Sequence, residues 1–254
     1  MGVIIDIHAH VGLEGRVPCR PEDLLRKMDA NGIDQSIISP VPDYEDPRGV
    51  ADSAALNDLV ADAVRRWPDR FPRGFGVVEP RHGPDALPEV DRALGELGLA
   101  GLMFHSDYAG VSLDHPSTFA IVERAARYKG VVILAHVFQH SILMAPFQLM
   151  RLADAFPGVT FIAANPMMTS TDSPAAFYMA AKCPNILFDT ALTHTHLWPL
   201  EKGVKAIGAD RMLFGSDSPY YTKCLDKYML ERADISAEDR EKIFGGNAKR
   251  VFAL

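Results

Sequence analysis

The chain has 254 residues, 48% of them hydrophobic and 23% charged, which is enough apolar material to build one sizeable core. A net charge of −7 argues against nucleic acid or an anionic membrane as the main partner. Three scattered cysteines, Cys19, Cys183 and Cys224, form neither a disulfide framework nor a CxxC pair, so a reducing cytoplasm is the expected setting. The opening MGVIIDIHAH has no basic leader and too short an apolar stretch for a signal peptide, and no run reaches the roughly 18 apolar residues of a membrane span.

In chain order, short β-branched runs alternate with helical patterns. Strands are predicted at Val3–Ile7, Gln35–Ser39, Gly74–Val78, Gly101–Phe104, Val131–Ala135, Thr160–Ala164, Ile186–Asp189 and Arg211–Phe214. Runs such as VVILA and TFIAA are apolar without alternation, as parallel strands buried on both faces should be. Between them PEDLLRKMDANG, ALNDLVADAVRRW and ALPEVDRALGELG carry helical spacing, with Pro21 and Pro116 near helix starts and Gly32 and Gly98 where helix ends belong. The closing SAEDREKIFGGNAKRVFAL opens on a capping-box pattern from Ser236 to Asp239. Eight such units, with no linker or low-complexity tract, predict one domain over residues 1–254: an α/β chain folded as a (β/α)8 barrel, with some distortion allowed. The rival, an open doubly wound sheet, is weakened for dinucleotide binding because no GxGxxG follows the first strand.

Three strand ends carry groups that could do chemistry. In Asp6-Ile7-His8-Ala9-His10 the two-residue period of a strand sends His8 and His10 the same way, towards the barrel mouth. In Phe214-Gly215-Ser216-Asp217-Ser218-Pro219, Asp217 ends the eighth strand, which neighbours the first in a closed barrel. His136 follows VVILA on the fifth strand, across the barrel from the first. Taken singly, each has a plainer reading: polar core histidines, an Asx turn before Ser-Pro, a lone satisfied imidazole. Together they deliver three imidazoles and a carboxylate to one rim. That set suits one divalent metal ion, best Zn2+, with Mn2+ or Fe2+ possible, and Asp217 doubles as the catalytic proton carrier.

These residues resemble the amidohydrolase-2 branch of the amidohydrolase superfamily, which includes aminocarboxymuconate-semialdehyde decarboxylase, resorcylate-type decarboxylases and several lactone or C–C-bond hydrolases. The resemblance rests on DIHAH, the strand-5 ILAH, GADRMLFGSDSP and EKIFGGNAKRVF, and covers nearly the whole chain. It implies a metal-binding barrel with His8, His10, His136 and Asp217 as ligands, a small-molecule substrate and, by analogy, a homodimer. One departure stands out. Family members usually carry a His after strand 6, in a segment of the form LAHMGG, where this chain has Asn165, which cannot shuttle a proton near neutral pH. His140, His194 or His196 could take over that task from loops after strands 5 and 7. No Lys stands on strand 4 to bridge two metals, which favours a mononuclear site. His105, Asn165, Arg16 and His140 are the candidate substrate contacts, Arg16 (with Arg20) as a carboxylate clamp.

Three functions compete. Hydrolysis of an amide, lactone or related carbonyl by activated water leads, because the chain offers only Arg16 and Arg20 as a cationic grip. The alternative is non-oxidative decarboxylation of an aromatic or unsaturated carboxylic acid. The third is a barrel that binds a ligand without turnover.

Overall fold

The structure is a computed structural model that describes residues 2–169, 171–193, 197–220 and 224–254, the side chains of 197–199 excepted. Eight parallel strands alternate with helices: β1 (Ile5–Val11), β2 (Gln35–Pro40), β3 (Phe75–Val77), β4 (Gly101–Phe104), β5 (Val132–His136), β6 (Thr160–Ala164), β7 (Ile186–Asp189) and β8 (Met212–Leu213). The expected α/β barrel is present in a distorted form. Continuous ladders join β1 to β2 and run from β3 through β8, while the two seams are held by single bridges, Ile38 to Gly74 and Ala9 to Ser218. At the first seam, Asn57 of helix α2 (Val50–Arg66) occupies both main-chain groups of Val77, donating to its carbonyl at 3.0 Å and accepting its N–H at 2.7 Å. That strand end is therefore satisfied without a ladder to β2. At the second seam Ile7 donates to Phe214, His10 to Ser218 and Asp217 to His8, which ties the chain after β8 along β1.

Strand periodicity divides the core in two. Ile5, Ile7, Phe75, Met103, Val132, Leu134, Ile162, Leu187 and Leu213 fill the barrel interior, closed below by Ala248 and Phe252 of the last helix. The opposite faces, such as Ile133, Ala135, Phe161, Ala163 and Phe188, pack against the helices. Inward parity carries on past the apolar residues: Val132 and Leu134 lead to His136, Leu187 to Asp189, and Met103 to His105.

β1 is the exception. Ile5 and Ile7 face inward, so strict alternation would send His8 and His10 outward. A register shift between Asp6 and Ala9 changes the parity, so that Ala9 and Val11 join the outer layer. The bulge is what aims the histidine pair at the interior. Asp6 anchors it: its buried carboxylate accepts the N–H of His8 and of Ser216, both at 3.0 Å, and the Ser216 hydroxyl at 2.6 Å. Burial pushes the Asp6 carboxyl up to about 7 against these donors.

Of the helices, α1 (Pro21–Asn31) begins at Pro21 and ends on Gly32 in the left-handed region, as its sequence predicts. ALPEVDRALGELG departs from a simple helix: after α3 (Leu87–Asp91) the segment Arg92–Glu96 widens into a π turn. The Ser236 hydroxyl accepts the Asp239 N–H at the start of the helix Ala237–Glu241, the N-cap half of the expected capping box. All three cysteines are free, and no helix among the described residues is long and apolar enough to cross a membrane.

Candidate metal centre

His8, His10, His136 and Asp217 meet at the barrel mouth, with one ligand atom of each lying within 4.8 Å of the others. His8 Nε2 lies 3.1 Å from both His10 Nε2 and His136 Nε2, and Asp217 Oδ1 lies 3.2 Å from His10 Nε2 and 3.4 Å from His8 Nε2. All four side chains are buried.

Each ring is fixed from behind. His10 Nδ1 donates to the Pro40 carbonyl at 2.9 Å, His136 Nδ1 to the Phe104 carbonyl at 3.1 Å, and His8 Nδ1 to Asp189 Oδ2 at 2.6 Å. With the Nδ1 protons committed outward, all three Nε2 lone pairs converge on one point beside a carboxylate oxygen. Neutral imidazoles would repel one another there, and a cation relieves that repulsion. Burial disfavours charge on His8, yet Asp189, Asp217 and Asp6 raise its pKa to about 9. The point therefore favours a positive charge, whether proton or metal ion. Burial and the neighbouring rings hold His136 well below the usual histidine range, the neutral form a ligand needs. Burial works against the Asp217 carboxylate as well, but His10 and His8 outweigh it and keep the group below its ordinary value. The donor set fits one divalent ion.

Asp189 has no role in the sequence reading, and it is central. One oxygen holds His8, while the other accepts the Asn165 N–H at 2.9 Å and the Ala191 N–H at 3.3 Å. It fixes the ring that touches both other imidazoles and ties β7 to the end of β6. An inward-facing Asp at the C-terminal end of a barrel strand was the available signal, but its partner lies 181 residues away.

Above the cluster opens a cavity of about 400 Å3. His136 and Asp217 form part of its floor, and Arg16, His105 and Asn165 line it, as do the unanticipated Tyr108 and Tyr220. Asn165 is buried in the left-handed region (φ 60°), and its side-chain oxygen has no hydrogen-bond partner among the described residues. The His105 ring lies tilted against the His136 ring, 4.4 Å between centroids; burial first, then the nearby His10, lower its pKa to about 4, so it is neutral. Arg16 is exposed at the mouth, and no ion pair holds its guanidinium among the described residues. His140 is not on this cavity. The chain turns back at Ser141, whose N–H donates to Phe138 O, leaving His140 exposed over an adjoining depression near Thr171. Arg20 also stands apart, serving as the N-cap residue of α1. His194 and His196 lie outside the described residues.

The family model described as Amidohydrolase matches residues 5–254. The chain belongs to the amidohydrolase family. Among curated relatives it is similar to the 2-amino-3-carboxymuconate-6-semialdehyde decarboxylase of Dictyostelium discoideum, 29% identical over 124 residues, 47% of this chain but only 34% of that protein. It is also similar to the gamma-resorcylate decarboxylase of Polaromonas sp. strain JS666, 25% identical over 289 residues of alignment, covering 91% of this chain and 86% of that one. Among solved structures, a dihydroxybenzoic acid decarboxylase from Polaromonas sp. JS666 with bound manganese and the inhibitor 2-nitroresorcinol superposes with a TM-score of 0.79 at 21% identity, covering 100% of this chain and 98% of that one. This amidohydrolase is thus a metal-dependent enzyme, and the two curated relatives described above are decarboxylases. The curated relatives favour the alternative, decarboxylation, over the expectation that hydrolysis leads, and the preference for zinc stays an expectation.

Proposed function

We propose that this amidohydrolase removes CO2 from a hydroxylated aromatic or unsaturated carboxylic acid, with one divalent ion held by His8, His10, His136 and Asp217. The observation that carries the reading is the similarity to a gamma-resorcylate decarboxylase over 91% of the chain. The cavity agrees with it: a cation-seeking floor, and an uncommitted guanidinium at the mouth for a carboxylate. An ion held by these four residues would supply Lewis acidity to the bound acid. Asp217 moves the proton. A ring carbon accepts it, the bond to the carboxyl group breaks with its electron pair returning to the ring, and CO2 leaves, consuming one solvent proton per turnover. Neutral His105 and Asn165 orient the ring without exchanging charge with it, and Tyr108 and Tyr220 wall the cavity beside His105 and His10.

Manganese-loaded enzyme incubated in D2O with 2,6-dihydroxybenzoate and related hydroxybenzoates tests this. The expected result is CO2 release with a single deuterium at the vacated carbon. Turnover of lactones or amides with no CO2 from any acid would return the enzyme to hydrolysis.

A further inference from the structure

Tyr220 and Arg16 come to the cavity from different loops, after β8 and β1, and one residue behind the wall holds both. Asp43, in the loop after β2, accepts the Tyr220 hydroxyl on Oδ1 at 3.1 Å and the Arg16 backbone N–H on Oδ2 at 2.7 Å. The fit is close. Gly15 sits at φ 93°, and a Cβ there would stand 2.6 Å from Asp43 Oδ1, so a side chain at that position would collide with the carboxylate. The Tyr220 ring meets His10 edge-on, 5.8 Å between centroids, which places this wall directly beside the metal-binding cluster.

Donor and acceptor accounting gives the arrangement a consequence for the ligand. A phenol has one proton and two lone pairs. The Tyr220 proton is committed to Asp43, so the oxygen turns only lone pairs towards anything in the cavity. Burial and the Asp43 charge raise the Tyr220 pKa, which keeps the phenol neutral. Asn165, buried and with its oxygen unpartnered among the described residues, offers a second acceptor on the same cavity.

We propose that Asp43 is a positioning residue that sets the hydrogen-bond polarity of the cavity: through Tyr220 it selects a substrate with a donor group, a hydroxyl or an amine, on the edge that meets this wall. The inference rests on the aromatic-acid reading above and adds which substituent the enzyme accepts and what enforces the choice.

Asp43→Asn makes the proposal sharp, because its outcome is an inversion. The Arg16 N–H cannot turn away, so the oxygen of the new amide must serve it, which leaves the amide NH2 facing Tyr220. The phenol then accepts from that NH2, and its own proton swings to the cavity. The probes are salicylates carrying either an amino group (donor) or a nitro group (acceptor only) at successive ring positions, titrated calorimetrically into manganese-loaded enzyme. At one ring position the native enzyme should favour amino over nitro by about tenfold, the worth of one hydrogen bond gained against one lost. Tyr220→Phe should abolish the preference, Asp43→Asn should reverse it, and the double variant should match Tyr220→Phe alone. A purely structural Asp43 would weaken both ligands together, and would do so equally when Tyr220→Phe is already present, which would overturn the proposal. So would a native enzyme that binds the series without preference. If no salicylate binds at all, the aromatic-acid reading falls, and this inference with it.

Discussion

Exchanging Asp189 for Asn removes one charge and almost no volume, yet it should disable the metal centre. The Asn165 and Ala191 N–H groups both point at one oxygen of this side chain and cannot reverse. An asparagine must keep its oxygen there, so its NH2 is presented to His8 Nδ1 across the 2.6 Å contact that the carboxylate now accepts. His8 answers by changing tautomer, with Nδ1 accepting and Nε2 carrying the proton. That proton points at the shared centre, 3.1 Å from the other two ring nitrogens, and must be displaced before an ion can bind. Loss of such an orienting partner costs roughly tenfold to a hundredfold in metal affinity, about 1.4–2.8 kcal/mol. The fold should hold, because the backbone donors stay satisfied and a buried charge has gone. Manganese affinity measured by competition with a chelator, beside circular dichroism, checks both halves. An affinity within twofold of the native protein would refute the tautomer argument.

Asn165→His restores an ionisable group beside the cavity, and the pH–rate profile should gain an inflection that the native enzyme lacks; an unchanged profile would take position 165 off the reaction path. Protons compete with the ion at His8, raised to about 9 in the metal-free site, so manganese affinity should fall steadily as the pH drops below about 9, and dialysis at pH ~5 should strip the ion; an affinity flat from pH ~9 to ~6 would contradict this. Gly101→Ala should destabilise the fold by about 3 kcal/mol in urea titrations, since the new Cβ would stand 1.7 Å from the Val132 carbonyl oxygen and force β4 from β5; a shift below about 1 kcal/mol would show that the strands yield more easily than close packing allows.

The sequence reveals most where local and tertiary demands coincide. Gly101–Phe104, Thr160–Ala164 and Ile186–Asp189 are predicted residue for residue, because a strand buried on both faces leaves an uninterrupted apolar run. β1 is misjudged at its C-terminal end for the converse reason. Its ligands are polar, and a prediction that halts at Ile7 stops where chemistry begins, although the ladder runs on to Val11. The inward aim of His8 and His10 follows from a bulge that no two-residue period contains. The four members of the cluster are legible because each ends a strand and the barrel brings those ends together. Asp189, Asp43 and Tyr220 are not, since each acts through a partner far away in sequence, and an isolated Asp after a strand reads equally well as a turn. His140 shows the limit in the other direction: its loop follows the right strand but folds outward. The choice of reaction was beyond the residues altogether, because a metal, an Asp and a cavity serve hydrolysis and decarboxylation alike.

The most direct test of the account couples metal content to chemistry. Purified enzyme titrated with manganese should release CO2 from the hydroxybenzoate proposed as substrate, in proportion to bound metal, and saturate near one equivalent, as a single four-ligand centre requires. His8→Ala, folded by circular dichroism, should hold no manganese at the same concentration and release no CO2. Release that persists after chelation, or full metal occupancy in His8→Ala, would contradict the central claim.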